Sequence, residues 1–307
     1  MSYIEFFGLT EEPFANAPVP SKFFYNSAQH SQALLRMMYA ADAMKGLAMV
    51  IGDIGSGKTT LARRMLDQLP DEEYEAAMLV IIHSAITADW LLRRIATLLG
   101  VDEPPHDKAT ILGLIYERLK EINDAGKKAI IIVDEVQMLQ SKEIMEEFRG
   151  LLNLEIPGKK LLTFIFFGLP EVEDYLKLDE PLDQRVSVKY HLKSLSEEST
   201  ESYIKHRLHV AGAKRMLFSK EAVESIYKLS RGVPRLINTL CDNSLFEGYL
   251  LKKEIISESL VSSVGRDLRL DDESREKFKE TSAASPVKIE QSESLDEIDN
   301  ILDKLTE

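Results

Sequence analysis

A glycine-rich stretch, LAMVIGDIGSGKTT at residues 47–60, constrains what this chain can fold into more than any other part of it. Residues 52–59 fit the phosphate-loop spacing G-x-x-x-x-G-K-[ST] at every fixed position. Glycines let successive backbone N–H groups turn inward around an anion, and the start of the following helix adds its positive end. The stretch therefore predicts a site for the phosphates of a nucleotide. The residues that we expect to bind it are Gly52, Asp53, Ile54, Gly55, Ser56, Gly57, Lys58, Thr59 and Thr60.

Lys58 and Thr59 carry the chemistry of this loop. A lysine at this position reaches the β- and γ-phosphates and so takes part in catalysis, and the Thr59 hydroxyl can hold Mg²⁺. The flanking sequence supports this interpretation, because Leu47–Ile51 is typical of a buried strand and an amphipathic helix follows the loop as far as Pro70. The alternative is a glycine-rich turn that binds nothing, which this context disfavours.

A second acidic site follows the apolar run AIIIV at residues 129–133. Asp134, at the mouth of that strand, would hold Mg²⁺ through its water shell, and Glu135 would polarise the water that attacks the phosphate. Gln137 would orient either that water or the Glu135 side chain. Together with a complete phosphate loop, the acidic pair indicates a nucleoside triphosphatase; the alternative is a polar loop at 134–137.

Apolar strands and amphipathic helices alternate over the first two thirds of the chain, which indicates a doubly wound α/β fold with a parallel sheet. In such a sheet ligands bind at the carboxyl ends of the strands, where both the glycine loop and Asp134 fall. The predicted strands are residues 47–51, 78–82, 129–133 and 161–167, with an edge strand over 186–192. The predicted helices are residues 29–45, 58–69, 87–99, 110–125 and 142–154.

The chain is predicted to divide into a nucleotide-binding α/β domain, residues 1–193, an all-helical lid domain, residues 194–268, and a disordered acidic tail, residues 269–307. Capping serines and apolar residues at helical spacing indicate the lid. Residues 271–307 carry 12 Asp and Glu against 5 Lys and Arg, which favours disorder. Apolar residues recur at helical spacing over 294–305, which indicates either a helix that folds on docking to a partner or a frayed tail.

The first 30 residues are rich in aromatic side chains, and three prolines between Pro13 and Pro20 exclude a continuous helix there. Two roles are open for this segment. It would either stack on the adenine ring of a nucleotide or pin the N-terminus to the core as an apolar strap.

Composition limits the function further. The 307 residues are enough for two domains, and the formal net charge of −13 argues against a general DNA-binding surface, although a local basic stripe is still possible. No apolar stretch approaches the roughly 20 residues that cross a bilayer, and the start has no signal-peptide pattern, so we expect a soluble chain without membrane insertion. Cys241 is the single cysteine, which excludes an intrachain disulfide and favours the reducing cytoplasm.

Adenine is favoured over guanine as the base, because the D-x-x-G and [NT]-K-x-D sequences of small GTPases are missing from the matching positions. Two arginines complete the pattern. Arg185, just before the last strand, would reach the γ-phosphate of a neighbouring subunit as an arginine finger. Arg235, at a helix start in the lid, would contact phosphate from the lid side. The alternative for each is a solvated charge or a local salt bridge.

The segments GDIGSGKTT, IIIVDEVQ, LDQRV and RGVPRLIN, with the opening YIEFFGLTEEPF, together resemble the AAA+ ATPases. Within them they resemble the branch of general secretion pathway protein A and ExeA-like ATPases, which includes MSHA pilus biogenesis ATPases and is akin to TniB-type transposition ATPases. The resemblance covers about residues 1–268. It implies ring or partial-ring homo-oligomers with ATP bound between subunits, Arg185 as the finger in trans, and Arg235 as the lid sensor. Relatives usually carry a polar residue after the glycine that ends the fourth strand; here Gly168 precedes Leu169, whose side chain cannot orient a water.

These observations lead to one expectation and two alternatives. We expect a cytoplasmic ATPase that binds ATP with Mg²⁺ and uses slow hydrolysis to change its assembly state, and so remodels or localises an envelope secretion or pilus apparatus. Longer relatives continue into a membrane span and a peptidoglycan-binding module, so this chain would act through a protein partner, with the tail as a candidate docking element. The alternatives are a transposition-type regulator that binds DNA when loaded with ATP, and a nucleotide-gated scaffold with little hydrolysis.

Overall fold

The computed structural model describes residues 2–16 and 21–271. Contacts divide the chain into two compact units, Met1–Val264 and Gly265–Glu307, and the second is described only as far as Asp271. The predicted docking helix at 294–305 and nearly all of the predicted tail therefore lie outside the described residues. The predicted boundary between α/β domain and lid, at residue 193, stays a prediction.

A five-stranded parallel sheet forms the centre of the first unit, which confirms the predicted fold class. The strands in chain order are β1 (Leu47–Gly52), β2 (Tyr74–Val80), β3 (Lys128–Asp134), β4 (Glu155–Ile156), β5 (Lys159–Lys160), β6 (Leu162–Gly168) and β7 (Val186–Leu192). The order in the parallel sheet is β2-β3-β6-β1-β7, while β4 and β5 pair as a short antiparallel hairpin. Because β6 lies between β1 and β3, the end of β6 lies between the phosphate loop and the acidic residues.

Side chains alternate between the two faces of the sheet, and each face is covered by a separate apolar core. On one face Met49 and Ile131 pack with Phe148, Phe164 and Phe166, whose rings make edge-to-face and tilted contacts 4.9 to 6.1 Å apart. The other face is covered by the first long helix and by the helix after the phosphate loop. The three central strands are buried along nearly their whole length for this reason, whereas β2 and β7 are partly exposed edges.

Twelve α-helices are described. They are α1 (Tyr3–Phe6), α2 (Ala28–Asp42), α3 (Lys58–Leu66), α4 (Ala88–Leu98), α5 (Lys108–Asp124), α6 (Lys142–Leu151), α7 (Val172–Leu176), α8 (Glu180–Asp183), α9 (Glu197–Val210), α10 (Lys220–Ser230), α11 (Pro234–Leu250) and α12 (Glu258–Asp267). Side chains of Ser27, Thr87, Asp107, Ser141, Ser196 and Ser219 cap the helices that follow them. None of the described helices combines the length and the apolar character that crossing a bilayer requires.

Several boundaries differ from the sequence-based ones. The strand predicted at 78–82 runs from Tyr74 to Val80, because its first residues belong to a partly exposed edge strand and show no apolar run. The helix predicted to reach residue 45 ends at Asp42, since the backbone of Met44 turns to a positive φ of 48°. The short helices α1, α7 and α8 and the β4–β5 hairpin were not predicted, because elements of two to five residues carry too little periodicity.

The N-terminal segment packs as a strap and also reaches the cavity beside the phosphate loop, and stacking on adenine stays a prediction. Residues 2–16 act as an apolar strap on the lid helices: Phe14 is 1% exposed and packs edge-to-face on Phe218 at 6.2 Å. The Tyr3 hydroxyl donates a 2.9 Å hydrogen bond to Asp242 on α11. Phe24 and its neighbours, in contrast, line a cavity beside the phosphate loop.

A buried arginine on α9 fastens this strap. Arg207 is 3% exposed, and its guanidinium donates to the carbonyl oxygens of Pro13 and Ala15 at 2.5 and 3.2 Å. It also donates to the Tyr203 hydroxyl at 3.3 Å and lies 4.9 Å from the centre of the Phe23 ring. Burial lowers the Arg207 pKa from its ordinary value, so the backbone carbonyls and the aromatic faces compensate for lost hydration.

We predict that Arg207→Met destabilises the protein by about 2 kcal/mol, since buried carbonyls left without donors cost about 1–3 kcal/mol each. That loss corresponds to a drop in the unfolding midpoint of roughly 4–8 °C, at about 2–4 °C per kcal/mol for a domain of this size. Arg215→Met is the matched control, because Arg215 forms an exposed pair with Glu254 and its loss should shift the midpoint little. Equal midpoints for the two variants would contradict the fastening role.

Candidate nucleotide site

The phosphate loop depends on two glycines in left-handed backbone conformations. Gly55 has φ of 77° and Gly57 has φ of 99°, values that residues with a Cβ rarely adopt. Gly57 is the N-cap of α3 and provides no side-chain cap. The first N–H groups of α3 are therefore open to an anion, as phosphate binding at a helix N-terminus requires.

Lys58 is held inside this loop by the loop itself. Its side-chain ammonium donates to the carbonyl oxygens of Gly52 and Asp53 at 2.8 and 3.0 Å, and the residue is only 6% exposed. Burial lowers the Lys58 pKa from its ordinary value, an effect that the carboxylates of Glu135 and Asp134 oppose. The Lys58 ammonium thus lies at the loop, where phosphate oxygens could replace the two backbone carbonyls as its hydrogen-bond acceptors.

Asp134 is the least compensated charged group of the site. It is fully buried, and neither carboxylate oxygen has a hydrogen-bond partner in the described part of the chain. Burial raises its pKa. The Thr59 hydroxyl and the Glu135 backbone N–H lie close enough to oppose that rise, but neither meets the geometry of a hydrogen bond to the carboxylate. Buried carboxylates without partners usually coordinate a cation, so these oxygens beside a hydroxyl fit Mg²⁺.

The described residues hold no cluster of three or more His, Cys, Asp or Glu that could bind a metal by itself. A Mg²⁺ ion at this site would therefore take its ligands from Asp134, Thr59, water and phosphate oxygens. Magnesium commonly binds in this way, through one or two carboxylates together with the phosphates of a substrate.

A cavity of about 720 Å³ extends from the phosphate loop to the N-terminal segment, a volume suited to a nucleotide. The predicted residues that line it are Ile54, Gly55, Gly57, Lys58, Thr59, Thr60, Glu135 and Arg235. Five further predicted residues do not line the cavity: Gly52, Asp53 and Ser56 of the loop itself, and Asp134 and Gln137 at the end of β3 and in the turn after it. Both acidic carboxylates lie close enough to Lys58 to influence its pKa, so the pair lies beside the loop, and the roles given to these residues stay predictions.

Aromatic and amide side chains line the far end of the cavity, and sequence reasoning missed most of them. The Tyr203 hydroxyl donates to Asn238, whose amide nitrogen donates to the Asn16 side chain, at 2.8 and 3.1 Å. Tyr25 packs edge-to-face on Tyr203 at 5.9 Å. Flat apolar rings with fixed amide groups beside them suit a purine base, which stacks and also offers hydrogen-bonding edges.

The lid contacts the phosphate loop directly at Gly55. The backbone N–H of Arg235 donates to the Gly55 carbonyl oxygen at 3.3 Å. A Cβ on Gly55 would come within 2.8 Å of the Arg235 Cβ, so the glycine is required for this approach as well as for its φ. Arg235 therefore reaches the cavity from the lid side.

Arg185 is not among the residues that line this cavity. Its guanidinium donates to the backbone carbonyl of Arg149 at 3.1 Å, and Arg149 pairs with the buried Asp179 at 2.9 Å. A contact from Arg185 to a phosphate would have to be made in another subunit, and its role as a finger stays a prediction.

His30 is a further residue that sequence reasoning missed, because nothing in its neighbourhood marks it. It is buried under the loop, where its Nε2 lies 3.3 Å from the Ser56 carbonyl oxygen and its Nδ1 lies 2.7 Å from the Ser27 hydroxyl. A carbonyl only accepts, so the neutral ring donates from Nε2 and accepts at Nδ1. Burial lowers the His30 pKa, which favours this neutral form.

We predict that Asp134→Asn raises the unfolding midpoint of the nucleotide-free protein, because it removes a buried charge without a partner. The gain should be about 1 kcal/mol, because the neutral amide removes the buried charge but remains a buried polar group. The same variant should lose the extra stabilisation that Mg²⁺ adds to ATP, measured by thermal unfolding with ATP and EDTA against ATP and Mg²⁺. The exposed Asp71→Asn is the control, and a lowered midpoint for Asp134→Asn would contradict the prediction.

Comparisons with known proteins agree with this geometry. Residues 42–176 match a protein-family model described as "AAA domain". General secretion pathway protein A of Aeromonas hydrophila is 36% identical over 253 residues, which are 80% of this chain and 45% of that protein. The chain thus spans less than half the length of this relative.

Solved structures share the fold at low sequence identity. The ORC2 protein of Aeropyrum pernix aligns with a TM-score of 0.62 and 15% identity, covering 83% of this chain and 71% of that one. Cdc6p of Pyrobaculum aerophilum gives a TM-score of 0.61 and 17% identity, covering 81% and 68%. The RuvB Holliday junction branch migration motor of Thermotoga maritima gives 0.57 and 19%, covering 87% and 83%. By its sheet, its phosphate loop and these comparisons, the chain belongs to the AAA ATPases, in the branch represented by general secretion pathway protein A.

Proposed function

We propose that this chain binds ATP with Mg²⁺ in the cavity beside the phosphate loop and hydrolyses it to ADP and phosphate. The observation that carries the proposal is the fully buried Asp134 carboxylate, which lacks a hydrogen-bond partner in the described part of the chain and lies beside the Thr59 hydroxyl. This arrangement is costly without a cation and suits one that is brought in with a triphosphate.

Each residue of the site has a distinct task in this proposal. The N–H groups of the loop and of the start of α3 donate to the β- and γ-phosphates, and the Lys58 ammonium exchanges its backbone partners for phosphate oxygens. Thr59 and Asp134 hold Mg²⁺, which when bound neutralises charge on the phosphates. Glu135 lines the same cavity and accepts a proton from the attacking water. At the far end, Tyr25 and Asn238 contact adenine.

Nucleotide binding would also link the lid to the loop. Arg235 lines the cavity from the lid and contacts Gly55 through its backbone, so a nucleotide in the cavity would touch both parts. We propose that Arg235 contacts the phosphates and that the nucleotide state sets the position of the lid. In a homo-oligomer the same change would move Arg185 towards or away from the γ-phosphate of a neighbour.

The cellular role that we propose is remodelling or localisation of an envelope secretion or pilus apparatus through a protein partner. The support is the similarity to general secretion pathway protein A, of which this chain covers 45%. The single cysteine, Cys241, is fully buried in the lid, which is consistent with a cytoplasmic protein. The net charge of −13 does not favour a DNA-binding role, although some proteins of similar fold are solved in complex with DNA.

We predict that the protein is stabilised by Mg-ATP and releases phosphate from it. Lys58→Ala should abolish the stabilisation, because it removes the charge that faces the phosphates. Glu135→Gln should keep ATP binding and lose hydrolysis by about 10²–10⁴-fold, the usual contribution of a general base. Calorimetry and a phosphate-release assay measure the two effects separately.

Three results would contradict parts of this proposal. Absence of any heat or stabilisation with Mg-ATP would remove it entirely. ATP binding with a phosphate release that Glu135→Gln does not change would favour a nucleotide-gated scaffold, a role consistent with the apolar Leu169 on the cavity wall. ATP-dependent retention of DNA that weakens with salt would favour the DNA regulator.

The finger role of Arg185 predicts complementation between two inactive variants. Arg185→Ala and Glu135→Gln should each hydrolyse ATP slowly alone, while a mixture contains sites with Glu135 from one subunit and Arg185 from the next. Random mixing at equal amounts should restore about one quarter of the wild-type rate, as expected for a head-to-tail interface. A mixture no faster than its components would argue against Arg185 acting in trans.

A further inference from the structure

The backbone at Glu135 turns a glutamine back against the proposed general base. Glu135 follows the last residue of β3 with φ of 58° and ψ of 35°, a left-handed conformation that non-glycine residues seldom adopt. The chain then enters a 3₁₀ turn, Val136–Met138. Gln137 within this turn is 9% exposed, and its side-chain Nε2 donates a hydrogen bond to Oε2 of Glu135.

The other end of the Gln137 amide contacts the end of β6. Its Oε1 accepts a hydrogen bond from the backbone N–H of Leu169 at 3.0 Å. A carboxylate can only accept and a backbone N–H can only donate, so only one orientation of the amide satisfies both partners. Gln137 therefore connects the Glu135 carboxylate to the backbone that follows β6.

The residue at the end of β6 makes room for this connection. A Cβ on Gly168 would lie 2.6 Å from Cγ1 of Val136 and 3.2 Å from Oε1 of Gln137. Any side chain at this position would push the turn after β3 away from β6. The next residue, Leu169, lines the cavity with an apolar side chain, so only its backbone takes part in hydrogen bonding.

A purely structural role for Gln137 would require only one of its two side-chain hydrogen bonds. Satisfying the Leu169 N–H needs only an acceptor, and Oε1 provides it. The Nε2 donor points instead at Glu135, whose carboxylate lines the cavity together with Lys58 and Thr59. A buried amide with both ends used fixes the carboxylate in one place, as a base that must meet a water in one geometry needs.

We propose that Gln137 is the positioning residue of the hydrolytic site. It holds the Glu135 carboxylate near the end of β6. The Leu169 side chain at that end is apolar and cannot make a polar contact to Glu135, so Gln137 makes it from the turn after β3. Gln137 acts through Glu135 and does not touch the water or the nucleotide. This inference rests on the proposed function, since it takes Glu135 to be the group that receives the proton.

Two substitutions separate the catalytic bond from the structural one. Gln137→Met keeps a side chain of similar length and removes both hydrogen bonds. Gln137→Glu keeps an acceptor for the Leu169 N–H, loses the donor to Glu135 and adds a like charge beside it. Gln140→Met is the control, because the Gln140 side chain lies three residues further on, donates a hydrogen bond of 3.5 Å to the Gln137 carbonyl and takes no part in the contacts to Glu135 and Leu169.

We expect kcat for ATP hydrolysis to fall by about 10- to 100-fold in both Gln137 variants, with KM and ATP affinity nearly unchanged, because misplacing a reacting group by about 1 Å costs about that much. Gln140→Met should keep the wild-type kcat. A readout without nucleotide is the hydrogen–deuterium exchange of the Leu169 amide, which should speed up in Gln137→Met and stay protected in Gln137→Glu.

The outcomes distinguish this inference from the function on which it rests. Wild-type protein without phosphate release overturns the proposed function and this inference with it. Wild-type activity that Glu135→Gln abolishes, together with a normal or raised kcat in both Gln137 variants, overturns this inference alone. So does a loss confined to KM, an equal loss in Gln140→Met, or an unchanged Leu169 amide exchange in Gln137→Met.

Discussion

Lys58 and Asp134 are two buried charged groups of opposite sign that do not pair with each other, and the rest of the structure has to compensate for the cost of burying them. Lys58 takes its hydrogen bonds from loop carbonyls, and Asp134 takes none in the described part of the chain. Burial moves the pKa of each towards its neutral form, so both groups are held in a costly environment. Burial of the apolar layers on the two faces of the sheet offsets the free-energy cost of burying these two groups. A magnesium triphosphate would give each group a partner of opposite charge, a cation for Asp134 and a phosphate for Lys58.

The strand order explains why these groups meet the turn after β6. With β6 between β1 and β3, Gly168 lies beside Ile51, the residue before the phosphate loop, and β6 also pairs with the strand that ends at Asp134. The backbone of residue 169 is therefore within reach of side chains from both neighbours. Gln137 uses that backbone as an anchor, so the acidic end of β3 depends on the geometry of β6 as well as on its own turn.

Much of the fold could be predicted because its signals are local. Continuous apolar runs gave β1, β3 and β6, and the loop spacing gave the start of α3. The anchoring of the strap had no such signal: Arg207 and Pro13 are 194 residues apart in sequence, and their hydrogen bond follows from the packing of distant segments. The same holds for His30, whose partner Ser56 is 26 residues away. Hydrogen bonds between distant segments leave no periodicity, so such residues become visible only in three dimensions.

The contact between the lid and the phosphate loop is weak. It includes one backbone hydrogen bond, from Arg235 to the Gly55 carbonyl at 3.3 Å, and such a bond contributes only about 0.5–1.5 kcal/mol. Gly55 carries no Cβ and has φ of 77°, so its peptide can rotate at lower cost than that of any other residue type. A phosphate that reorders the N–H groups of the loop would turn this carbonyl as well. Charge-assisted phosphate contacts contribute more than this, so a bound phosphate would be enough to break the hydrogen bond between Arg235 and Gly55.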